Sequence, residues 1–151
     1  MKNLRYSNRR DWMKLCIAVA ITVLYVIFSM QIYDLLYYDA GFSDAMYKQD
    51  LYWVVSLITL SIAWSAAIVY YWVIDRFDRW YHWIVGLCAA AVCTYFATYN
   101  YLDGTIQLQL ILDGNQLLSF SITNVVIGVV LYLVSSFGTK DLSNHCSTTP
   151  F

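Results

Sequence analysis

Four long apolar stretches without a charged residue constrain this chain more than any other feature. They contain 19 to 24 residues each, and all nineteen charged side chains (nine basic, ten acidic) lie outside them. A bilayer core of about 30 Å requires about 20 consecutive apolar residues in a helix. The stretches therefore predict four membrane-spanning helices, at residues 15–33, 51–74, 80–101 and 117–137.

Length and composition favour a single membrane domain. The chain has 151 residues, of which 60% are hydrophobic and 13% are charged, whereas a soluble domain is about 25% charged. We expect residues 1–151 to form one polytopic, all-α bundle of four transmembrane helices. The first stretch is too long for the core of a cleaved signal peptide and no small-residue cleavage site follows it, so we predict that it is a retained span.

The basic residues between the stretches predict the orientation. Five lie in residues 1–14, two in 75–79 and one after residue 137, whereas 34–50 holds one and 102–116 holds none. Short basic segments stay in the cytoplasm. We therefore expect both termini to be cytoplasmic, and a bacterial inner membrane is the location that we favour.

Most aromatic residues fall at the ends of the stretches, where Tyr and Trp anchor helices at the membrane interface. Tyr25, Trp64 and Tyr132 lie deeper. Because their polar atoms need hydrogen-bond partners, we expect these three side chains to point at other helices.

The connection between the third and fourth stretches has a distinctive pattern. Polar and apolar residues alternate from Thr105 to Leu110, and an Asp113-Gly114 pair follows. Alternation around an Asp-Gly turn is typical of a β-hairpin. We predict a small extracytoplasmic β-hairpin over residues 105–121, with 105–112 paired to 115–121. The alternative is an interfacial helix followed by a full fourth span.

The two other connections also carry expectations. The aromatic residues of 34–50 suggest a helical extension of the first span along the outer interface, with a break at Gly41-Phe42-Ser43. The five-residue connection 75–79 forces an antiparallel helix pair. Its Arg76 and Arg79 are either simple topogenic charges or a docking site for a cytoplasmic partner.

Small residues at spacing four indicate close helix packing in lipid. The third stretch has Gly86, Ala90 and Thr94 in this arrangement, and the second has Ser61 and Ser65. We therefore expect the second and third spans to form the closest pair.

The fourth stretch carries one stripe of small and polar residues, which includes Ser121, Asn124 and Gly128. Asn124 is the most polar side chain near the centre of any predicted span. It fits either a hydrogen bond between helices, worth about 1 kcal/mol, or a contact to a partner subunit or ligand.

The residues that most membrane chemistry needs are scarce. The apolar stretches contain no Asp, Glu, Lys or Arg, and their one histidine, His82, lies at interface depth. Cys88 and Cys93 are five apart on one predicted helix, and the chain has no C-x-x-C motif. We predict no catalytic residue, no metal site and no cofactor. The net charge of −1 gives no reason to expect a nucleic-acid partner.

The sequence favours a non-catalytic membrane subunit that scaffolds or docks a larger cell-envelope complex, such as a secretion or conjugation machine. Its expected partners are the lipid bilayer and other membrane or envelope proteins, or a second copy of the chain. Gly86, Ala90, Ser121, Asn124, Gly128, Arg76 and Arg79 are the candidate interaction residues. Two alternatives are a small carrier or flippase without buried charge, and an immunity-type protein that acts against a membrane-active toxin.

Overall fold

The computed structural model describes residues 9–73, 80–106 and 114–142. Nearly all of these residues are helical, and none of them lies in a strand. The helices follow one another as α1 (Arg9–Ile27), α2 (Ser29–Leu36), α3 (Ala40–Lys48), α4 (Leu51–Ile68), α5 (Trp80–Ile106) and α6 (Gly114–Lys140). A π-helical turn, Val69–Val73, continues α4.

Three helical segments are long and apolar enough to cross a membrane. They are Leu51–Trp72, Trp80–Thr105 and Gly114–Lys140. A fourth crossing exists if α1 and α2 count as one span, and these two helices meet at an angle of 72°. The all-α part of the predicted fold is therefore confirmed, with three or four candidate spans.

The first predicted span, 15–33, is not one straight helix. It breaks at Phe28, although no proline or glycine lies near that position. The backbone stays hydrogen-bonded across the break, because the Phe28 amide donates to the Leu24 carbonyl oxygen at 3.0 Å. On α2, Ser29 and Tyr33 are the buried residues. We infer that the packing of Tyr33 inside the bundle imposes the bend, since no local breaker does.

After α2 the chain turns back through α3 and covers one end of the bundle, which we call the capped end. The predicted break at Gly41-Phe42-Ser43 is wrong, because these residues lie inside α3. The chain reverses its direction in residues 37–39, between α2 and α3. Asp39 supplies the N-cap, and its carboxylate accepts a hydrogen bond from the Phe42 amide at 3.1 Å. A carboxylate in this position satisfies one of the free amides of the first helical turn.

The predicted β-hairpin over 105–121 is wrong. Its second strand, 115–121, lies within the helix α6, and Thr105 and Ile106 end the helix α5. The rest of its first strand falls in 107–113, outside the described residues. The helix α6 therefore covers the whole fourth apolar stretch, 117–137, as the second part of the alternative expected.

The burial pattern of α6 explains the error. The first buried residues along α6 are Leu117, Phe120, Ser121 and Asn124. They follow the three- and four-residue spacing of one helix face. The alternation that suggested strands covers only a few residues. A helix also satisfies its backbone internally, which a lone two-stranded hairpin does not.

Helix α6 lies at the centre of the bundle and packs against α1, α4 and α5. Glycine allows the closest approaches. A Cβ atom at Gly138 would lie 2.6 Å from the Ala18 Cβ on α1, and one at Gly128 would lie 3.1 Å from the Thr94 side chain on α5. The expectation that the second and third spans form the closest pair is wrong. Both α4 and α5 pack more extensively on α6 than on each other.

We expect Gly138→Ala to destabilise the bundle by roughly 1–3 kcal/mol, the usual range for overpacking. The added methyl group meets Ala18 and the α1 backbone near Leu15, so the two helices must move apart. The measurement is thermal unfolding in detergent. Gly104→Ala is the matched control, because a Cβ built there meets no side chain and no other helix among the described residues within 4 Å. Equal melting temperatures for the two variants would contradict the prediction.

Candidate functional site

The side chain of Asn124 joins three other helices near the middle of the bundle. Asn124 is 0% exposed. Its amide nitrogen donates to the hydroxyl oxygens of Thr59 on α4, at 2.8 Å, and Thr98 on α5, at 2.6 Å. Its carbonyl oxygen accepts a hydrogen bond from the Tyr33 hydroxyl on α2, at 2.6 Å. Both ends of the amide are therefore satisfied inside the protein.

Two further hydrogen bonds extend this network. The hydroxyl groups of Tyr25 and Tyr33 lie 2.8 Å apart, which brings in α1. The Thr59 hydroxyl donates to the Val55 carbonyl oxygen at 2.8 Å. Hydrogen bonds in a medium of low dielectric constant strengthen one another along such a chain. We call Tyr25, Tyr33, Thr59, Thr98 and Asn124 the polar network.

Aromatic rings fill the space between the polar network and the capped end. Phe120 lies at the centre of this cluster, 4.9 Å from Phe42 and 5.1 Å from Tyr33 between ring centroids. Tyr52 stacks on Tyr33 at 5.6 Å. All four rings are fully buried. The cluster therefore separates the polar network from solvent at the capped end.

The carboxylate of Asp34 helps to hold the cap to α4. The Tyr52 hydroxyl donates to one oxygen of Asp34 at 2.9 Å, and the Tyr47 hydroxyl donates to the other. The hydrogen bond to Asp34 raises the pKa of Tyr47 above its ordinary value, because ionisation would remove the donor and place two negative charges together. Asp34 thereby links α2, α3 and α4.

The opposite end of the bundle is fastened by different contacts. Lys14 forms an ion pair with Asp141, just beyond α6, and its ammonium lies 5.5 Å from the centre of the Phe137 ring. The Trp83 indole donates to the Ser136 hydroxyl at 3.4 Å. The start of α1 therefore lies beside the end of α6.

Most of the candidate interaction residues lie inside the bundle. Ser121, Asn124 and Gly128 share the buried face of α6. Gly86 faces the Tyr132 hydroxyl, and Ala90 is 5% exposed.

The remaining two candidates, Arg76 and Arg79, fall in residues 74–79 and lie outside the described residues. The expectation that deep aromatic residues point at other helices is confirmed for Tyr25, which bonds to Tyr33 on α2, and for Tyr132, which packs on Trp83 of α5. Trp64 is half-buried.

Sequence reasoning found Asn124 but missed its partners. Tyr33 lies 91 residues away along the chain and Thr59 lies 65 away. Threonine is common in apolar helices, where it bonds to its own backbone, as Thr123 does to the Ser119 carbonyl oxygen. Only the relative placement of the helices shows which hydroxyl groups meet the amide.

An open groove runs along the surface between α4 and α5. It has a volume of about 380 Å³, and its lining is almost entirely apolar. Its small residues are Ser61, Ser65 and Ala66 on α4 and Ala89, Ala90 and Cys93 on α5. Because the flanking side chains are short, another chain could bring its backbone close to both helices.

The described residues show no arrangement of metal ligands. No group of three or more His, Cys, Asp or Glu side chains comes together within 9–73, 80–106 and 114–142. Cys16, Cys88 and Cys93 are exposed thiols without a disulfide. His82 is half-buried and packs on the Tyr81 ring at 4.3 Å.

Comparisons with known proteins give no family for this chain. No protein-family model matches it, nor does any curated protein or solved structure.

We expect Asn124→Leu to destabilise the protein by about 1–3 kcal/mol, because it leaves buried hydroxyl groups on three helices without their partner. The matched control is Thr123→Val. The Thr123 hydroxyl bonds to the Ser119 carbonyl oxygen within α6. Replacing this hydroxyl by a methyl group therefore removes none of the described hydrogen bonds between helices. Thermal unfolding in detergent measures both variants. If Asn124→Leu unfolds no earlier than Thr123→Val, the polar network does not hold the helices together.

We expect the Tyr47–Asp34 contact to be lost only in strong alkali. The folded-state pKa of Tyr47 lies above that of the unfolded chain, which is about 10. The stabilisation is therefore complete below about pH 10 and disappears as the pH rises through the folded-state value. The difference in tyrosinate absorbance between the parent protein and Tyr47→Phe isolates this titration. In an Asp34→Asn background it should shift to lower pH, and no shift would show that Asp34 is not the cause.

Proposed function

We propose that this chain is a non-catalytic integral membrane subunit that docks a partner membrane protein within a larger cell-envelope complex. The groove between α4 and α5 carries the proposal. It is an open, apolar surface on helices long enough to cross a membrane. We propose that its occupant is a transmembrane helix of that partner.

The closed interior supports a structural role for the polar network. Asn124 is 0% exposed and both ends of its amide are bonded to other helices. A carrier of polar solutes would instead present such groups to a path through the bundle. Stretches 51–72 and 117–137 also contain none of the charged side chains that usually couple transport to ions.

Two small-residue faces of α5 differ in what they contact. The face that includes Gly86 and Thr94 packs on α6, where Thr94 lies against Gly128. The face that includes Ala89 and Cys93 borders the groove and is exposed. The contacts within the chain therefore explain the first face and leave the second without a packing partner among the described residues.

The groove lies far from the ends of the helices, near the middle of the bilayer. This position favours a membrane-embedded occupant over a soluble one. Ser61 follows Leu51, the first residue of α4, by ten positions, which corresponds to about 15 Å along a helix. That distance is half of a bilayer core of about 30 Å. A helix within the membrane reaches this position directly, whereas a soluble domain would have to displace lipid.

The charge distribution supports an inner-membrane orientation with both termini in the cytoplasm. Of the nine basic residues, eight lie in the terminal segments and in 75–79. The ion pair between Lys14 and Asp141 is consistent with termini on one side, since it holds the start of α1 beside the end of α6. In this orientation the capped end faces away from the cytoplasm.

Crosslinking from the groove tests the proposed function. Cys93 lines the groove, whereas Cys88 is exposed on the same helix outside it. Two single-cysteine variants, each with the other cysteines replaced by serine, are labelled with a benzophenone maleimide in native membranes and irradiated. We expect Cys93, but not Cys88, to give one adduct of defined mass with a membrane protein that also co-purifies at fixed stoichiometry.

A groove-filling variant provides the second arm of this experiment. Ala89→Leu should abolish both the adduct and the co-purification, because the larger side chain occupies the groove. Val126→Leu is the matched control, since Val126 is exposed on α6 and does not line the groove. A monodisperse particle without a partner would overturn the proposal and favour a carrier or an immunity-type protein.

A further inference from the structure

The face that α2 turns away from the bundle is uncharged and mostly apolar. Leu35 is 86% exposed and Leu36 is 52% exposed, and Gln31 is the other exposed residue of this helix. The surface continues onto Phe28 and onto Ile27 at the end of α1, which are about half exposed. From residue 27 to residue 36 the exposed surface thus consists of apolar side chains and the uncharged amide of Gln31.

The apolar part of α1 is too short to cross a bilayer. It extends from residue 15, just after Lys14, to Ile27, where α1 ends. These 13 residues have a length of about 20 Å at 1.5 Å per residue, compared with about 30 Å for the hydrocarbon core. The helix therefore ends before it reaches the far side.

Contacts with the neighbouring helices also place α2 below the bilayer surface at the capped end. Tyr33 bonds to Asn124, which lies seven residues inside Leu117 and therefore about 10 Å from that end of the apolar stretch. Thr59 in the same network lies eight residues inside Leu51, or about 12 Å. Both distances put the Tyr33 hydroxyl roughly 10 Å below the bilayer surface at the capped end. Its ring stacks on Tyr52, one residue inside Leu51, so α2 itself lies between that depth and the surface.

The direction of α2 keeps it near that depth. It turns by 72° from α1, so its eight residues run across the bundle more than along it. Its one charged group, Asp34, is half-buried and accepts hydrogen bonds from Tyr47 and Tyr52. The exposed charges come on the next helix, where Asp44 and Lys48 form an ion pair at 3.6 Å. The boundary with water therefore lies between α2 and the exposed side of α3.

We propose that α2 is the transverse second half of a broken span, embedded in the outer half of the bilayer, and that lipid acyl chains cover Phe28, Leu35 and Leu36. The first span then passes the midplane of the bilayer as α1 and crosses the rest of the outer leaflet as the transverse α2. The bundle consequently presents a different outline to each leaflet. This inference rests on membrane insertion in the proposed orientation and does not depend on the partner in the groove.

Nitroxide labelling of the full-length protein in phosphatidylcholine vesicles tests the inference. Single cysteines replace Leu35, Ile122 or Asp44 in a chain whose native cysteines are changed to serine. Ile122 is exposed on α6, two residues from Asn124, and is the lipid reference, whereas Asp44 is the water reference. The collision rate of each nitroxide with oxygen, which partitions into lipid, is measured by electron paramagnetic resonance. It is divided by the collision rate with a water-soluble nickel chelate to give an oxygen-to-nickel ratio.

We expect the oxygen-to-nickel ratio at Leu35 to match that at Ile122 and to exceed that at Asp44 several-fold. A ratio at Leu35 equal to that at Asp44 would overturn the inference and show that water reaches α2. If Ile122 also gives the ratio of Asp44, membrane insertion itself fails, so the two failures are distinguishable. Leu36 provides a second labelling position on the same face should the Leu35 variant not fold.

Discussion

In a low-dielectric bundle the side-chain amide of Asn124 must find its hydrogen-bond partners within the protein, because an unpaired buried polar group is costly. The rest of the structure depends on that requirement. Thr59, Thr98 and Tyr33 meet the amide from three helices, and each contact fixes which face of its helix turns inward. The first span also bends at Phe28, and Tyr33, five residues beyond the bend, bonds to Asn124.

Close packing completes what the polar network begins. Glycines on α6 let α1 and α5 approach until side chains meet the backbone, and α6 thereby becomes the centre of the bundle. The small residues that remain outside these contacts line the groove between α4 and α5. The interior is therefore closed by its own contacts, and the groove is the surface at which we propose that another membrane helix binds.

Membrane-spanning potential could be predicted from the sequence because it depends on the length and charge of continuous stretches. The bounds of the second predicted stretch, 51–74, agree within one residue with those of α4 and its π-helical turn taken together, 51–73. Short patterns were less informative. The alternation at 105–110 predicted strands, whereas Leu117 and Phe120 are buried on one face of the helix α6, which includes residues 115–121. Asn124 could be singled out by its polarity, but its partners could not.

The sequence by itself determined that the chain forms several apolar helices long enough to cross a membrane. It also predicted the orientation through the unequal distribution of basic residues. Both properties are sums over contiguous residues and need no knowledge of packing. Only the tertiary structure decided which hydroxyl groups complete the polar network, where the first span bends and which small-residue face stays open. These features depend on atoms separated by up to 91 residues along the chain, and only packing brings such atoms together.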